Sequence, residues 1–101
     1  MKKGWTQQEG DYLTSVISAY FPNVTISFFG SRVGDKFKET SDLDVCLKAD
    51  VPLDLSKWSQ LESDLSQSSL PYKVDLLDWS RITDDFRKVI SAKSVLISSG
   101  S

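Results

Sequence analysis

Apolar residues recur at helical spacing near the start of the chain. Tyr12, Leu13, Val16, Ile17 and Tyr20 fall on one stripe of a 3.6-residue period. Thr6 followed by Glu9 is a capping-box pattern, and Pro22-Asn23 stops the run. The pattern predicts a helix over Thr6–Phe21. The period then changes. Val24–Phe29 is rich in β-branched and aromatic residues and reads as a strand that Gly30-Ser31 closes sharply. After a polar connector, Asp42–Lys48 alternates cleanly, with Leu43, Val45 and Leu47 on one face and Asp42, Asp44 and Cys46 on the other. A helix is predicted over Ser56–Leu65, with Trp58, Leu61 and Leu65 on one side. A strand is predicted over Tyr72–Leu77, a helix over Thr83–Ala92 facing inward through Phe86, Val89 and Ile90, and a short strand over Val95–Ile97.

This order of helix, strand, strand, helix, strand, helix predicts an α/β (α+β) fold, a small mixed β-sheet with flanking helices. One domain is expected over 1–97, and Ser98-Ser99-Gly100-Ser101 is expected to be a disordered tail. A chain of 101 residues, 40% of them hydrophobic, supports one core.

Composition removes several chemistries. There is no histidine, so Ser-His-Asp and Cys-His catalysis and histidine metal ligands are excluded. Cys46 is the only cysteine, which excludes an internal disulfide and a thiolate cluster. A net charge of −2 argues against gripping nucleic acid by charge. Tyr12 to Ser31 carries no charge, but its polar residues and Pro22 exclude a membrane span, and no apolar signal core follows Met1-Lys2-Lys3. A cytoplasmic protein with no membrane association is expected.

The candidate chemistry lies around the second strand. Asp42 and Asp44 stand two residues apart and project from one sheet face. Two carboxylates about 6 Å apart repel by about 3 kcal/mol at an effective dielectric near 20. A cation between them, or solvent around them, relieves that cost. Hard oxygen donors of this kind suit Mg²⁺ together with substrate phosphates. A bare Asp-x-Asp at a strand start is more simply a turn residue followed by a solvated one. Gly30 lets the backbone approach a bound group and Ser31 offers a hydroxyl and an amide, although a plain turn explains both. Asp75 is an acid within an apolar strand and wants a cation or a hydrogen-bond network, a salt bridge, for instance to Lys73, or an exposed edge strand being the plain alternatives. Arg32 either contacts phosphate or lies on the connector surface.

The combination is more specific than its parts. Gly30-Ser31-Arg32, then Ser41-Asp42-Leu43-Asp44, then Asp75 in Val74-Asp75-Leu76-Leu77-Asp78-Trp79 resembles the DNA polymerase β-like nucleotidyltransferase superfamily, and within it the minimal nucleotidyltransferase (MNT) domains found as antitoxins beside HEPN toxins. The resemblance covers about Ser27 to Ile90. Members commonly carry a glycine where this chain has Asp35, and here it falls one position earlier, at Gly34.

The resemblance implies that Gly30, Ser31 and Arg32 bind the triphosphate. It implies that Asp42, Asp44 and Asp75 are catalytic and ligate metal, two Mg²⁺ ions in the family, with Asp75 accepting the proton of the attacking hydroxyl. ATP or another NTP would be the substrate, and a hydroxyl of a HEPN-type helical partner the acceptor. Oligomerisation is possible. Two alternatives stay open: a non-catalytic antitoxin that acts by occlusion, and transfer to a small molecule.

Overall fold

In the computed structural model of the chain, which describes residues 4–99, helix α1 (Gln7–Tyr20) begins at the cap that the sequence predicts. Thr6 Oγ1 accepts from the Glu9 amide at 3.1 Å, and Glu9 Oε1 accepts from the Thr6 amide at 2.9 Å. Both partners of the capping box are therefore made, which satisfies two amides of the first turn. The helix ends at Phe21, whose amide still bonds to the Ile17 carbonyl, directly before Pro22. Thr83 and Asp54 cap the other two helices with a side-chain oxygen, Thr83 accepting from the Phe86 amide before α3 (Asp84–Ala92) and Asp54 from the Lys57 amide before α2 (Leu55–Ser66).

Four strands form one sheet: β1 (Thr25–Phe29), β2 (Leu43–Lys48), β3 (Val74–Asp78) and β4 (Ser94–Ser98), in the order β3-β2-β1-β4. β1 runs antiparallel to both β2 and β4, and β2 runs parallel to β3. A parallel pair needs a crossover rather than a hairpin, and α2 supplies it. The mixed sheet and three helices match the expected architecture.

The two sheet faces are unequal. Ile26, Phe28, Leu43, Val45, Leu47 and Leu76 point to one side, where Leu13 and Ile17 of α1 and Leu61 and Leu65 of α2 cover them. Each such side chain, fully withdrawn from water, contributes about 1.5–3 kcal/mol. Tyr20 of α1 also donates its hydroxyl proton to Asp64 of α2, joining the two covering helices. The opposite face holds a smaller cluster of Phe29, Cys46 and Ile90, flanked by Leu77, Trp79 and Ile82.

Several expectations change at this second face. Cys46 does not belong to a polar face, since it lies buried beneath α3 halfway along β2. Of the three α3 residues expected to face inward, Ile90 is buried, while Phe86 and Val89 remain 37% and 63% exposed. Little apolar sheet lies beneath α3, so only part of its stripe finds cover. β3 begins at Val74 rather than Tyr72. β4 extends through Ser98, and the Ser99 carbonyl accepts from Thr25 Oγ1, so the ladder runs past the start of the expected tail. Gly100 and Ser101 of that tail lie outside the described residues, as do Met1–Lys3. Among the described residues no helix is long and apolar enough to cross a membrane.

The asymmetry of the faces makes a stability prediction. Leu61→Ala removes a fully buried side chain from the larger core and is expected to lower unfolding free energy by about 3 kcal/mol. Val89→Ser, on the open side of α3, is expected to change it by less than about 0.5 kcal/mol. Urea titrations at constant m-value check both.

Candidate functional site

β1 ends beside the middle of the site. Phe29 pairs with Asp44 across the antiparallel ladder, so the chain leaves the sheet at Gly30 directly over the Asp44 side chain. Gly30 adopts φ +82°, a conformation that residues with a Cβ rarely take. A Cβ at Gly30 would stand 2.0 Å from Asp44 Oδ2. Both the backbone angle and the contact therefore require glycine at this position. Ser31–Val33 then forms one 3-10 turn, with the Val33 amide bonding to the Gly30 carbonyl and the Gly34 amide to the Ser31 carbonyl. Gly30 and Ser31 are both exposed.

The carboxylates meet at the same end of the sheet. In the parallel pair, Asp44 of β2 is the direct register partner of Asp75 of β3. Adjacent strands lie about 4.8 Å apart and register partners share a face, so the two acids project side by side. The Leu43 amide bonds to the Lys73 carbonyl at 2.8 Å, fixing the start of β2 against the start of β3. Asp42 stands one residue before β2, exposed, and its charge acts on Asp44.

Asp44 is half-buried, and its carboxyl is held above the ordinary carboxylate range. Burial is the main cause, followed by the negative charges of Asp75 and of Asp42. No cation answers them: among the described residues the ion pairs are Arg81–Asp78 and Arg87–Asp84. Among the described residues the three acids thus act on one another without an ion-pair partner.

These donors suit a hard divalent cation in kind, being carboxylate oxygens that repel one another and lack a partner. They do not form a ready-made cage. Among the described residues no three His, Cys, Asp or Glu side chains converge closely enough to hold a metal ion. Such an arrangement fits Mg²⁺, which is usually held by one or two carboxylates and completes its shell with water and substrate phosphate.

Arg32 has a different occupation from the expected phosphate contact. It is 6% exposed, and its guanidinium donates to four main-chain carbonyls. Nε bonds to Ser41 O at 2.7 Å, Nη1 to Gly4 O at 2.8 Å, and Nη2 to Glu39 O at 2.9 Å and to Lys38 O at 3.4 Å. Its Cζ lies 4.3 Å from the centroid of the Tyr72 ring and 5.1 Å from that of Phe37. No periodic or motif signal separates a buried arginine of this kind from a surface one; the pairing with carbonyls on distant loops appears only in three dimensions.

Other polar and aromatic residues have structural roles. Asp78 Oδ1 accepts from the amide and the hydroxyl of Ser80, capping the turn Trp79–Arg81. The Cys46 thiol is pushed up to about 11 by burial and by Asp78, which keeps it protonated and unreactive at neutral pH. Trp5 packs edge-on against Phe28 at 5.0 Å, Trp58 tilts against Phe21, and Trp79 takes Lys48 and Arg87 on its ring. Tyr72, which the sequence does not single out, donates to Glu9 Oε1 at 2.9 Å and so joins the segment just before β3 to the first turn of α1.

Comparison with known proteins identifies the family and the fold. A family model described as polymerase beta, nucleotidyltransferase matches residues 13–101. A protein of Haemophilus influenzae named as a probable protein adenylyltransferase, MntA, is 40% identical over 83 residues, covering 82% of this chain and 73% of its own length. A solved toxin–antitoxin structure with AMP-PNP superposes with a TM-score of 0.73 at 22% identity, covering 88% of this chain and 72% of that one. An MNT antitoxin in complex with the tri-AMPylated HEPN toxin of Shewanella oneidensis superposes with a TM-score of 0.72 at 20% identity, covering 91% and 71%.

Two outcomes follow from the contact between Gly30 and Asp44. Gly30→Ala is expected to destabilise the fold by about 1–3 kcal/mol, and adding Asp44→Ala is expected to return only the steric part, leaving the cost of the positive φ. A double-mutant cycle by thermal or urea unfolding measures the coupling. For Asp44 the sign is fixed by its raised pKa. The folded state holds the Asp44 proton more tightly than the unfolded one, so its stability contribution is full below the ordinary value of 3.8 and is lost as pH rises through the raised value. Asp44→Asn is therefore expected to raise Tm at neutral pH without divalent cation by about 2–5 °C, and the gain is expected to vanish near pH 3.

Proposed function

Because the chain belongs to the polymerase beta nucleotidyltransferase family, we propose that it moves AMP from ATP to a hydroxyl of a protein partner, a HEPN-type toxin for which it serves as the antitoxin. The observation that carries this reading is the register of Asp44 with Asp75, beneath a glycine that only the absence of a side chain allows. The Haemophilus relative's name supports protein adenylylation, and the AMP-PNP and AMPylated-toxin complexes support the nucleotide and the partner.

In this reading Gly30 and Ser31 receive the triphosphate. Gly30 has no Cβ, so phosphate oxygens can approach the main chain, and the exposed Ser31 offers its amide and hydroxyl. Asp42 and Asp44, with Asp75 beside them, would hold Mg²⁺, which when bound supplies charge neutralisation at the phosphates. The acceptor oxygen forms its bond to the α-phosphorus as the bond from that phosphorus to the pyrophosphate oxygen breaks. The hydroxyl proton passes to Asp75, which is exposed and stands in register beside Asp44. With no histidine in the chain, a carboxylate is the base at hand. Phe86, Val89 and Leu96 leave an apolar surface on the same side of the sheet, which suits contact with a protein acceptor. A reducing cytoplasm, rich in ATP, suits the single free thiol.

A non-catalytic antitoxin that silences its partner by occlusion is the second reading. It requires no metal and so makes no demand on the three acids.

Incubation with labelled ATP, Mg²⁺ and a candidate HEPN-type partner separates the two. Label is expected on the partner, and Asp44→Asn is expected to reduce its rate about 100-fold or more. EDTA should do the same. Partner inhibition that survives Asp44→Asn unchanged, with no label in the wild type, would establish occlusion instead.

A further inference from the structure

Arg32 stands one residue after Ser31, and its Nε holds the carbonyl of Ser41, one residue before Asp42. One side chain thus bridges the two halves of the candidate site. We propose that Arg32 is a positioning residue: it sets the Asp42 end of the connector against the Gly30-Ser31 turn and does so from a scaffold that includes the amino-terminal arm. The proposal rests on the adenylyl-transfer reading above for its catalytic consequence.

Three observations carry it. The guanidinium is spent on carbonyls. Four of its five N–H donors are engaged, on Gly4, Lys38, Glu39 and Ser41, which leaves at most one for a phosphate. The cation is also covered, since Tyr72 and Phe37 present their rings to it. Finally, the arm is seated on it. A Cβ at Gly4 would lie 2.2 Å from Arg32 O and 2.5 Å from Arg32 Cβ, so the arm rests directly on the arginine main chain.

Lys36, Lys38, Glu39 and Thr40 of the connector are exposed. Besides the Leu43 amide to Lys73 O, bonds near Asp42 include the Ser41 amide to Lys38 O and the Lys38 amide to Ser41 Oγ. Without the planar fork, residues 38–41 lose three of the contacts that define their path. Lysine cannot replace it, because one ammonium cannot reach four carbonyls spread around the edge of a planar fork. A displacement of about 1 Å at a reacting centre costs up to about 100-fold in rate, so a loosened Asp42 should be felt in turnover.

The test uses the full chain with ATP, Mg²⁺ and its HEPN partner. Arg32→Lys is expected to lower kcat by about 10–100-fold while the KM for ATP stays within about threefold. Gly4→Ala, which pushes on the same clamp from outside the nucleotide site, is expected to lower kcat in the same sense by a smaller factor. Hydrogen exchange of the amides of residues 38–42 is expected to quicken at least about tenfold in Arg32→Lys, with the β1–β2 ladder unchanged. A raised KM at unaltered kcat would make Arg32 a phosphate ligand and overturn the proposal. Unaltered connector exchange, or unaltered kcat in the folded Arg32→Lys protein, would overturn it as well. A wild-type chain that transfers no AMP would defeat the enzyme reading alone, and the exchange measurement would then decide the clamp.

Discussion

The main chain at Gly30 lies so close to the Asp44 carboxylate that no side chain fits between them. That contact is the constraint on which the site depends. It ties the exit of β1 to an acid in the middle of the sheet, and a glycine conformation at φ +82° makes the turn possible. Asp44 in turn shares its row with Asp75 and feels Asp42. Three like charges crowded at one sheet end oppose folding, because burial and mutual repulsion both disfavour the ionised form. A structure keeps such a feature when something else supplies the stability, and the feature then marks where a cation is wanted.

The source of that stability is the opposite face. Phe28, Leu43, Val45 and Leu47 lie beneath α1 and α2, and all four are fully buried. The cost at Asp44 and the gain at Val45 fall on neighbouring residues of one strand but on opposite sides of the sheet. Strand alternation keeps them apart. The second face is covered only over Phe29, Cys46 and Ile90, since α3 is short. Its incomplete cover leaves the acids accessible to a large substrate. The same incompleteness exposes Phe86 and Val89, so the open site and the apolar surface beside it have one structural origin.

Much of this was legible in the residues. Helix starts were legible because caps are local: Thr6 with Glu9 closes a box within four residues. The strands were legible because alternation is local too. The adjacency of Asp42, Asp44 and Asp75 was reached through family resemblance rather than pattern, since register between β2 and β3 depends on how α2 crosses over. What local pattern cannot carry is the depth of cover on each face. Cys46 reads as a companion of Asp44 by period, yet α3 buries one and spares the other. Val89 reads as inward-facing by period, yet too little apolar sheet lies beneath it. Arg32 is the furthest from legible: its partners lie 28 residues behind it and six to nine residues ahead, and all are carbonyls, which every residue type possesses equally.

The choice of carbonyls also bears on the electrostatics of the site. A buried guanidinium usually finds a carboxylate, and acids stand at positions 42 and 44, just beyond the loop that Arg32 holds. Pairing with either would relieve the repulsion at Asp44 and lower its pKa. The charges that act on Asp44 are instead those of Asp75 and Asp42, and the pKa is raised. Carbonyl dipoles and the faces of Tyr72 and Phe37 solvate the arginine without drawing on the acids. The cation thus organises the loop that carries Asp42 while leaving the negative charge unneutralised. A site built to take up a divalent ion with a polyphosphate needs both conditions at once, an ordered set of acids and no internal cation competing for them.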